Sequence, residues 1–413
     1  MGCKHRYLWL GSYQSDEQFQ KMLARNIGQA SGYASQKGLV KGFDQILDKD
    51  SVLDTIGVVS CPTYPKYPKA NVEEIRWSRT GRSSDMTIGY LNIKYITYLF
   101  RSRNLMKAVR EWYQSNKNSD NTTIIVYEPS VSKLKAAQYL KQKMNAKVFI
   151  IIPDIPELVN LSANRLIKLG KYLAARKMKH QFRNADGFIL YSSCMADYYN
   201  LKEDQWILME GVFDPDEAVD PKQESDEQHP IRLMYCGALD KYRGIPQLLE
   251  AFDQMRDADY ELWLCGAGPS DALIHEREKT DKRIHHFGYL DSREDVLALQ
   301  RQADVLIHTR DITSPAAPYC FPSKLFEYFV TAKPVISVKL PGIPKEYYDY
   351  MISIDEFSPE GIGRAIKKVG ELSNDERNRI GSSAREFVLN YKNSKIQANR
   401  IINYINREKD RTK

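Results

Sequence analysis

Short apolar runs, each closed by a turn and most followed by a helical pattern, recur along this chain, and that alternation restricts its fold more than any other feature. In the first half they are YLWL (7–10), TIGVVS (55–60), TIIVY (123–127), KVFIII (147–152) and GFILY (187–191). In the second they are IRLMYCG (231–237), ELWLC (261–265), IHHFGY (284–289), ADVLIH (303–308) and PVIS (334–337). Apolar strands with helices between them point to parallel sheets covered on both faces, because a crossover must carry the chain back before the next strand begins. The expected fold class is therefore α/β, with two doubly wound, Rossmann-like halves. The polar, acidic stretch 214–228 shows no apolar periodicity and reads as the linker. The expected division is a first domain over 1–213, a linker over 214–230, a second domain over 231–377 and a helical segment over 378–413, of which 378–407 reads as one helix. No repeat of 20 to 50 residues is evident.

The 413 residues are enough for two or three domains. No apolar run approaches the roughly 20 residues that span a bilayer. The first residues, MGCKHRY, lead directly into a strand and lack the apolar core of a signal peptide. Six cysteines without C-x-x-C spacing fit free thiols in a reducing cytosol, and seven histidines show no zinc-ligand spacing. A soluble, cytoplasmic protein with no metal and no bound cofactor is the expectation.

Two segments carry chemistry. In YCFPSKLFEYFVTAKPVIS (319–337) a helix starts near Pro322 and Ser323, since Pro is tolerated in a first turn and Ser caps well. Its open N–H groups favour an anion such as a diphosphate, and Lys324 adds a point charge beside them. Glu327, one turn on, is placed to accept hydrogen bonds from two sugar hydroxyls such as those of a ribose. The competing reading is an ordinary amphipathic helix with Leu325, Phe326 and Phe329 in a core. In the second segment the strand 231–237 ends in Gly237 and is followed by ALDKYRG and the helical pattern Ile245, Leu248, Leu249, Phe252. A strand, a Gly-containing loop and a helix form a phosphate cradle, with Lys241 and Arg243 adding charge. For Lys241 a solvated loop charge is an equal alternative.

PSKLFEYFVTAKPVIS resembles the signature of the family 4 glycosyltransferases, GT-B enzymes that transfer a sugar from a nucleotide donor with retention of anomeric configuration. The likeness is greatest to members that build bacterial capsule, exopolysaccharide or O-antigen chains. The resemblance implies that Glu327 holds the donor ribose and that the helix start, with Phe321, Pro322, Ser323, Lys324 and Leu325, meets the diphosphate. It also implies donor contacts at Gly237, Arg243, Gly266, Gly268 and Phe287, with Lys241 as a further cation. Three positions depart from the family pattern. Tyr319 stands where a second Glu is usual, Ala238 where an Arg is usual, and Asp154 near the place of a His. In the loop after the first strand, only Gly11 remains of a usually Gly-rich turn.

The resemblance further implies a donor on the second domain, an acceptor on the first, catalysis in a cleft between them, and a C-terminal helix that crosses back to the first domain. Arg243 and Lys324 are the catalytic candidates, since retaining transfer needs the leaving diphosphate neutralised and fixed cations make a metal unnecessary. Asp154, at a strand end between two prolines, is the third, with a turn residue as its alternative. Asp48-Lys49-Asp50 and Asp214-Pro215-Asp216 have D-x-D spacing but read as solvated turns.

Lys and Arg exceed Asp and Glu by 60 to 53, and the excess is concentrated. No acid occurs in 160–185, where Arg165, Lys168, Lys171, Arg176, Lys177, Lys179 and Arg183 accompany leucines. In 92–113, Tyr95, Tyr98, Phe100 and Trp112 alternate with Lys94, Arg101, Arg103, Lys107 and Arg110. Both suit an anionic membrane surface, which would place the protein on the inner face of the cell membrane. The alternative packs the apolar faces on the sheet. No recognition motif accompanies the charge, so nucleic acid is not an expected partner.

The expected activity is metal-independent, retaining transfer from a nucleotide sugar, with a UDP-sugar as the expected donor, to a glycan or glycolipid acceptor. Two alternatives stay open: a non-catalytic nucleotide-sugar-binding subunit of another transferase, and a GT-B sugar-nucleotide epimerase.

Overall fold

The computed structural model describes residues 5–23, 30–119, 121–158, 165–218, 229–255, 259–290 and 292–410. The chain divides into two compact units, Met1–Asp214 with Asn393–Lys413, and Pro215–Lys392.

The first unit contains strands β1 (His5–Gly11), β2 (Ser51–Gly57), β3 (Asn71–Val72), β4 (Ile75–Trp77), β5 (Asp85–Thr87), β6 (Tyr90–Leu91), β7 (Thr122–Tyr127), β8 (Lys147–Ile152), β9 (Gly187–Leu190) and β10 (Trp206–Leu208). Its helices are α1 (Asp16–Leu23), α2 (Ala30–Ile46), α3 (Thr97–Asn116), α4 (Val131–Met144), α5 (Arg165–Phe182) and α6 (Cys194–Tyr199). The sheet runs β10-β9-β8-β7-β1-β2-β5-β4 and is parallel except for the edge strand β4. The middle strands β1, β7 and β8 are the buried apolar runs read from the sequence, and Leu8, Trp9, Leu10, Ile125 and Phe149 are fully buried. The segment between β2 and α3 was not resolved into elements by sequence reading. It holds the antiparallel pair β3–β6 and the edge strands, all of two or three residues, too short to show a period.

The second unit contains β11 (Ile231–Cys236), α7 (Ile245–Asp253), β12 (Tyr260–Cys265), α8 (Asp271–Thr280), β13 (Ile284–Gly288), α9 (Arg293–Gln302), β14 (Val305–His308), α10 (Lys324–Phe329), β15 (Val335–Val338), β16 (Ile352–Ile354), α11 (Pro359–Gly370) and α12 (Asn374–Tyr391). The order β13-β12-β11-β14-β15-β16 is fully parallel. The chain moves outward one way from β11 and returns to start again at β14. That reversal opens a crevice at the carboxyl ends of β11 and β14, where doubly wound sheets take ligands.

The single helix expected over 378–407 is two helices. Lys392 (φ −120°, ψ 14°) ends α12, and Asn393 starts α13 (Ser394–Asp410) by accepting the Ile396 N–H on its side chain at 2.9 Å. No Gly or Pro marks the break, so the sequence pattern ran through it. The Ser394 N–H donates to the Phe213 carbonyl at 3.0 Å, and α13 packs on α2 within the first unit. Of the linker expected over 214–230, residues 219–228 lie outside the described residues.

Candidate functional site

The loops after β11 and β14 are tied together at the switch point. Asp240 accepts the Arg243 N–H on its side chain at 2.9 Å and shapes the single 3-10 turn of residues 241–243. The Thr309 hydroxyl donates to the Arg243 carbonyl at 2.7 Å, and the Asp311 N–H donates to the Tyr242 carbonyl at 3.0 Å. The helix α10 is fastened to the end of β11 by Tyr328, whose hydroxyl accepts the Cys236 N–H at 2.9 Å and donates to the Cys236 carbonyl at 3.2 Å. Leu325, Phe326 and Phe329 are in the core, as the competing amphipathic-helix reading expected, and Tyr328 joins them.

This scaffold presents a group of cations. Lys324 Nζ donates to Glu327 Oε2 at 2.6 Å. Burial works to lower the Lys324 pKa, but the Glu327 carboxylate and the Cys236 thiol outweigh it and leave the amine above its ordinary value. His308, at the end of β14, is buried with Nδ1 3.0 Å from Ser337 Oγ. Burial pushes it down to about 3, helped by the charges of Arg310, Arg243 and Lys324. Three positive side chains thus act on one buried imidazole, around the carboxyl ends of β11 and β14. Arg310 was missed in the sequence, where a lone Arg in a loop has no spacing that singles it out.

The remaining candidates fall into separate places. Ser323, expected to cap α10, is itself helical (φ −54°, ψ −22°), and its hydroxyl caps nothing. The helix opens instead with a tight turn in which the Leu325 and Phe326 N–H groups donate to Pro322 and Ser323 carbonyls at 2.9 and 3.1 Å. Leu325 is fully buried and its amide is spent, so neither faces a ligand. Phe321 is buried on Phe326 and Tyr347, while Pro322 is buried and Ser323 exposed. Tyr319 is half-buried at the end of a 3-10 turn. Lys241 is exposed, with Nζ 5.2 Å from the Tyr242 ring centre, and is not among the cations acting on His308. Phe287 is exposed against Trp263.

The glycines after β12 have a structural reason of their own. Gly266 takes φ 142°, and a Cβ there would fall 1.8 Å from the Gly237 carbonyl oxygen. Leu239 N–H to Ala267 carbonyl and Ser270 N–H to Leu239 carbonyl, at 3.1 and 2.9 Å, continue the same contact past Gly268. Gly237, Gly266 and Gly268 therefore weld two loops together.

In the first unit, Gly11 ends β1 with the Gln36 amide against it, where a Cβ would lie 2.3 Å from Oε1. Asp154 is exposed just after β8. Of the D-x-D pairs, Asp214 is not a solvated turn: it is buried and bridged by Lys41 Nζ at 2.7 Å. Among the described residues no three His, Cys, Asp or Glu side chains gather as a metal would need.

Residues 216–387, nearly all of the second unit, match the family model described as "Glycosyl transferases group 1". No curated protein matches the chain. Among solved structures, HepE of Anabaena in complex with UDP is similar at 13% identity, over 97% of this chain and 99% of that one, with a TM-score of 0.61. Sucrose-phosphate synthase from Thermosynechococcus elongatus is similar at 15% identity, over 97% and 98%, with a TM-score of 0.65. The lipopolysaccharide outer core galactosyltransferase WaaB, in its apo form, is similar at 13% identity, over 97% and 99%, with a TM-score of 0.59. The fold shared with them is GT-B, two Rossmann-like α/β units with parallel sheets.

Proposed function

We propose that this protein, an enzyme by its glycosyltransferase match over 216–387, transfers a sugar from a UDP-sugar, with retention and without a metal, to a lipid-linked or growing surface-polysaccharide glycan. The observation that carries the donor side is the switch point itself, where the Thr309 hydroxyl on the Arg243 carbonyl ties the loops that bear Arg243 and Arg310, and Tyr328 fastens to the end of β11 the helix on which Lys324 is hydrogen-bonded to Glu327. A diphosphate brings the negative charge that these cations lack, and the Glu327 carboxylate has a second oxygen for ribose hydroxyls. Arg310 supplies from the end of β14 a cation where Ala238 offers none. HepE is described with UDP and with UDP and glucose, and WaaB as a galactosyltransferase of lipopolysaccharide, which favours a UDP-hexose and a surface glycan here.

In the reaction the bond from the sugar C1 to the diphosphate oxygen breaks, and the electron pair leaves with UDP. The acceptor hydroxyl oxygen bonds to C1 on the same face, and its proton passes to the departing phosphate oxygen. The three cations meet charge that grows as UDP leaves, which is where fixed charges lower a barrier.

Calorimetry with UDP tests the donor site. Glu327→Ala should weaken UDP binding by about 1.5–3 kcal/mol, the range for hydrogen bonds to a charged group. Unchanged affinity would remove Glu327 from the site. Arg243→Ala, Arg310→Ala and Lys324→Ala should each lower turnover at saturating UDP-hexose. A chelator should leave the wild-type rate unchanged, and a loss restored by magnesium would overturn the metal-independent reading. Conversion of free UDP-hexose to an epimer without acceptor would favour the epimerase instead.

A further inference from the structure

At the carboxyl end of the first unit's sheet stands a carboxylate that no motif announces. Glu128 follows β7 directly, and its backbone takes φ 50°, a left-handed conformation that disfavours residues bearing a Cβ. Three bonds hold it there. Its N–H donates to the Ile151 carbonyl at 3.2 Å, and Lys133 Nζ donates to its carbonyl at 2.9 Å and to that of Tyr127 at 2.8 Å. Lys133 is buried, and burial lowers its pKa to about 8 against the opposing pull of the Glu128 charge. A buried lysine is thus used to fasten two carbonyls at a strand end.

The side chain is set with equal care. Gln36, fully buried, accepts the Trp9 indole N–H at 3.3 Å and the Ser12 N–H at 2.9 Å on Oε1. Its Nε2 donates to Ser12 Oγ at 2.6 Å, so the Ser12 hydroxyl must turn its own proton elsewhere. That proton points to Glu128 Oε2, 3.4 Å away. The other oxygen, Oε1, has no hydrogen-bond partner among the described residues, and the carboxylate makes no ion pair among them. The side chain is half-buried, so Oε1 is reachable. Structural carboxylates of this unit look different: Asp54 and Asp85 are buried and both bonded to Arg side chains.

We propose that Glu128 binds the acceptor, its Oε1 accepting a hydrogen bond from a sugar hydroxyl and orienting it, with Ser12 and Lys133 as positioning residues. This rests on the glycosyltransferase reading above. It assigns the polyol-binding role on the first unit to the end of β7, one strand from Asp154.

The test uses the full chain with Glu128→Gly and Glu128→Gln, and three readouts: melting temperature, UDP affinity by calorimetry, and UDP release from UDP-glucose with and without a series of n-octyl glycosides as hydroxyl probes. A binding role predicts that Glu128→Gly melts no lower than wild type, because glycine adopts φ 50° without penalty. UDP affinity should stay within twofold in both variants. Glycoside-stimulated UDP release should fall at least about tenfold in both, as expected for loss of a charged hydrogen-bond acceptor. A clear drop in the melting temperature of Glu128→Gly would make Glu128 a structural prop, and overturn the proposal. So would undiminished stimulation in Glu128→Gln, or absence of stimulation of the wild type by every glycoside. Wild-type protein that fails to bind UDP would instead sink the donor reading, while the melting comparison would still decide whether Glu128 is structural.

Discussion

His308 shows how the charges of Arg310, Arg243 and Lys324 register on a single residue. An unfolded histidine takes up a proton near 6.5, whereas the buried His308, depressed by burial and then by Arg310, Arg243 and Lys324, does so only near 3. Between those values the unfolded chain holds one proton more than the folded one, so stability rises with pH across the window and is lost as pH falls below about 6.5. Melting temperatures between pH 7 and 4.5 should therefore drop more steeply in wild type than in His308→Asn, and equal slopes would remove His308 as the cause. Lys324, Glu327 and Arg243 were legible in the sequence because they sit inside segments whose strand, turn and helix order shows. Arg310 and Glu128 were not. Neither has a fixed spacing to a partner, and the φ of Glu128 and the lysine beneath it exist only once β7, β8 and α4 are assembled.

The helices α3 and α5 carry an exposure that their own packing does not explain. Each leads back to enter a strand of the first sheet, β7 and β9, so each begins at the sheet's carboxyl end, with α4 packed between them. Nine of the fifteen large hydrophobic side chains exposed among the described residues cluster at these starts: Tyr64, Ile93, Tyr95, Ile96, Tyr98 and Leu99, and then Leu169, Tyr172 and Leu173. Lys94 and Arg103 flank the first group and Arg176 and Lys177 the second, all exposed. Of the segment 92–113 only the beginning exposes its apolar side chains, because Trp112 is buried and donates its indole N–H to Asp54 at 2.8 Å, while Arg101 turns inward to the Tyr90 hydroxyl. Of 160–185, residues 160–164 lie outside the described residues. Apolar side chains with cations around them fit an anionic lipid surface, each cation contributing about 1 kcal/mol near the lipid. Vesicles containing phosphatidylserine should therefore bind the protein in a salt-sensitive manner. Replacing Tyr95, Tyr98 and Leu99 by Ser, or Lys171, Arg176 and Lys177 by Gln, should lower that binding and leave UDP affinity intact. Equal sedimentation of all three proteins would place the lipid contact elsewhere. No described helix is long and apolar enough to cross a membrane.

Across the whole molecule, the first unit is assembled from two stretches of chain and the second from one. The alternation of strand and helix made both sheets legible, but the return of residues 393–410 to the first unit was legible only through the family resemblance, because it depends on a contact with α2 that no local pattern encodes. A chain ending at Lys392 should keep the UDP affinity of the second unit while the first unit melts earlier, because α13 covers a buried face with Ala398, Ile401 and Ile405. A single, unshifted melting transition in that shortened chain would contradict the division. The same arrangement has a consequence in time. On a ribosome adding about 5–20 residues per second, α2 is made before the second unit, and its partner α13 arrives only some tens of seconds later, after the entire second unit has been made. Through that interval the face of α2 that carries Gly38 and Gly42 awaits its cover, so a helix made before the second unit is completed only after it, and a chaperone that shields nascent chains has a task at residues 30–46 that lasts as long as the second unit takes to be made.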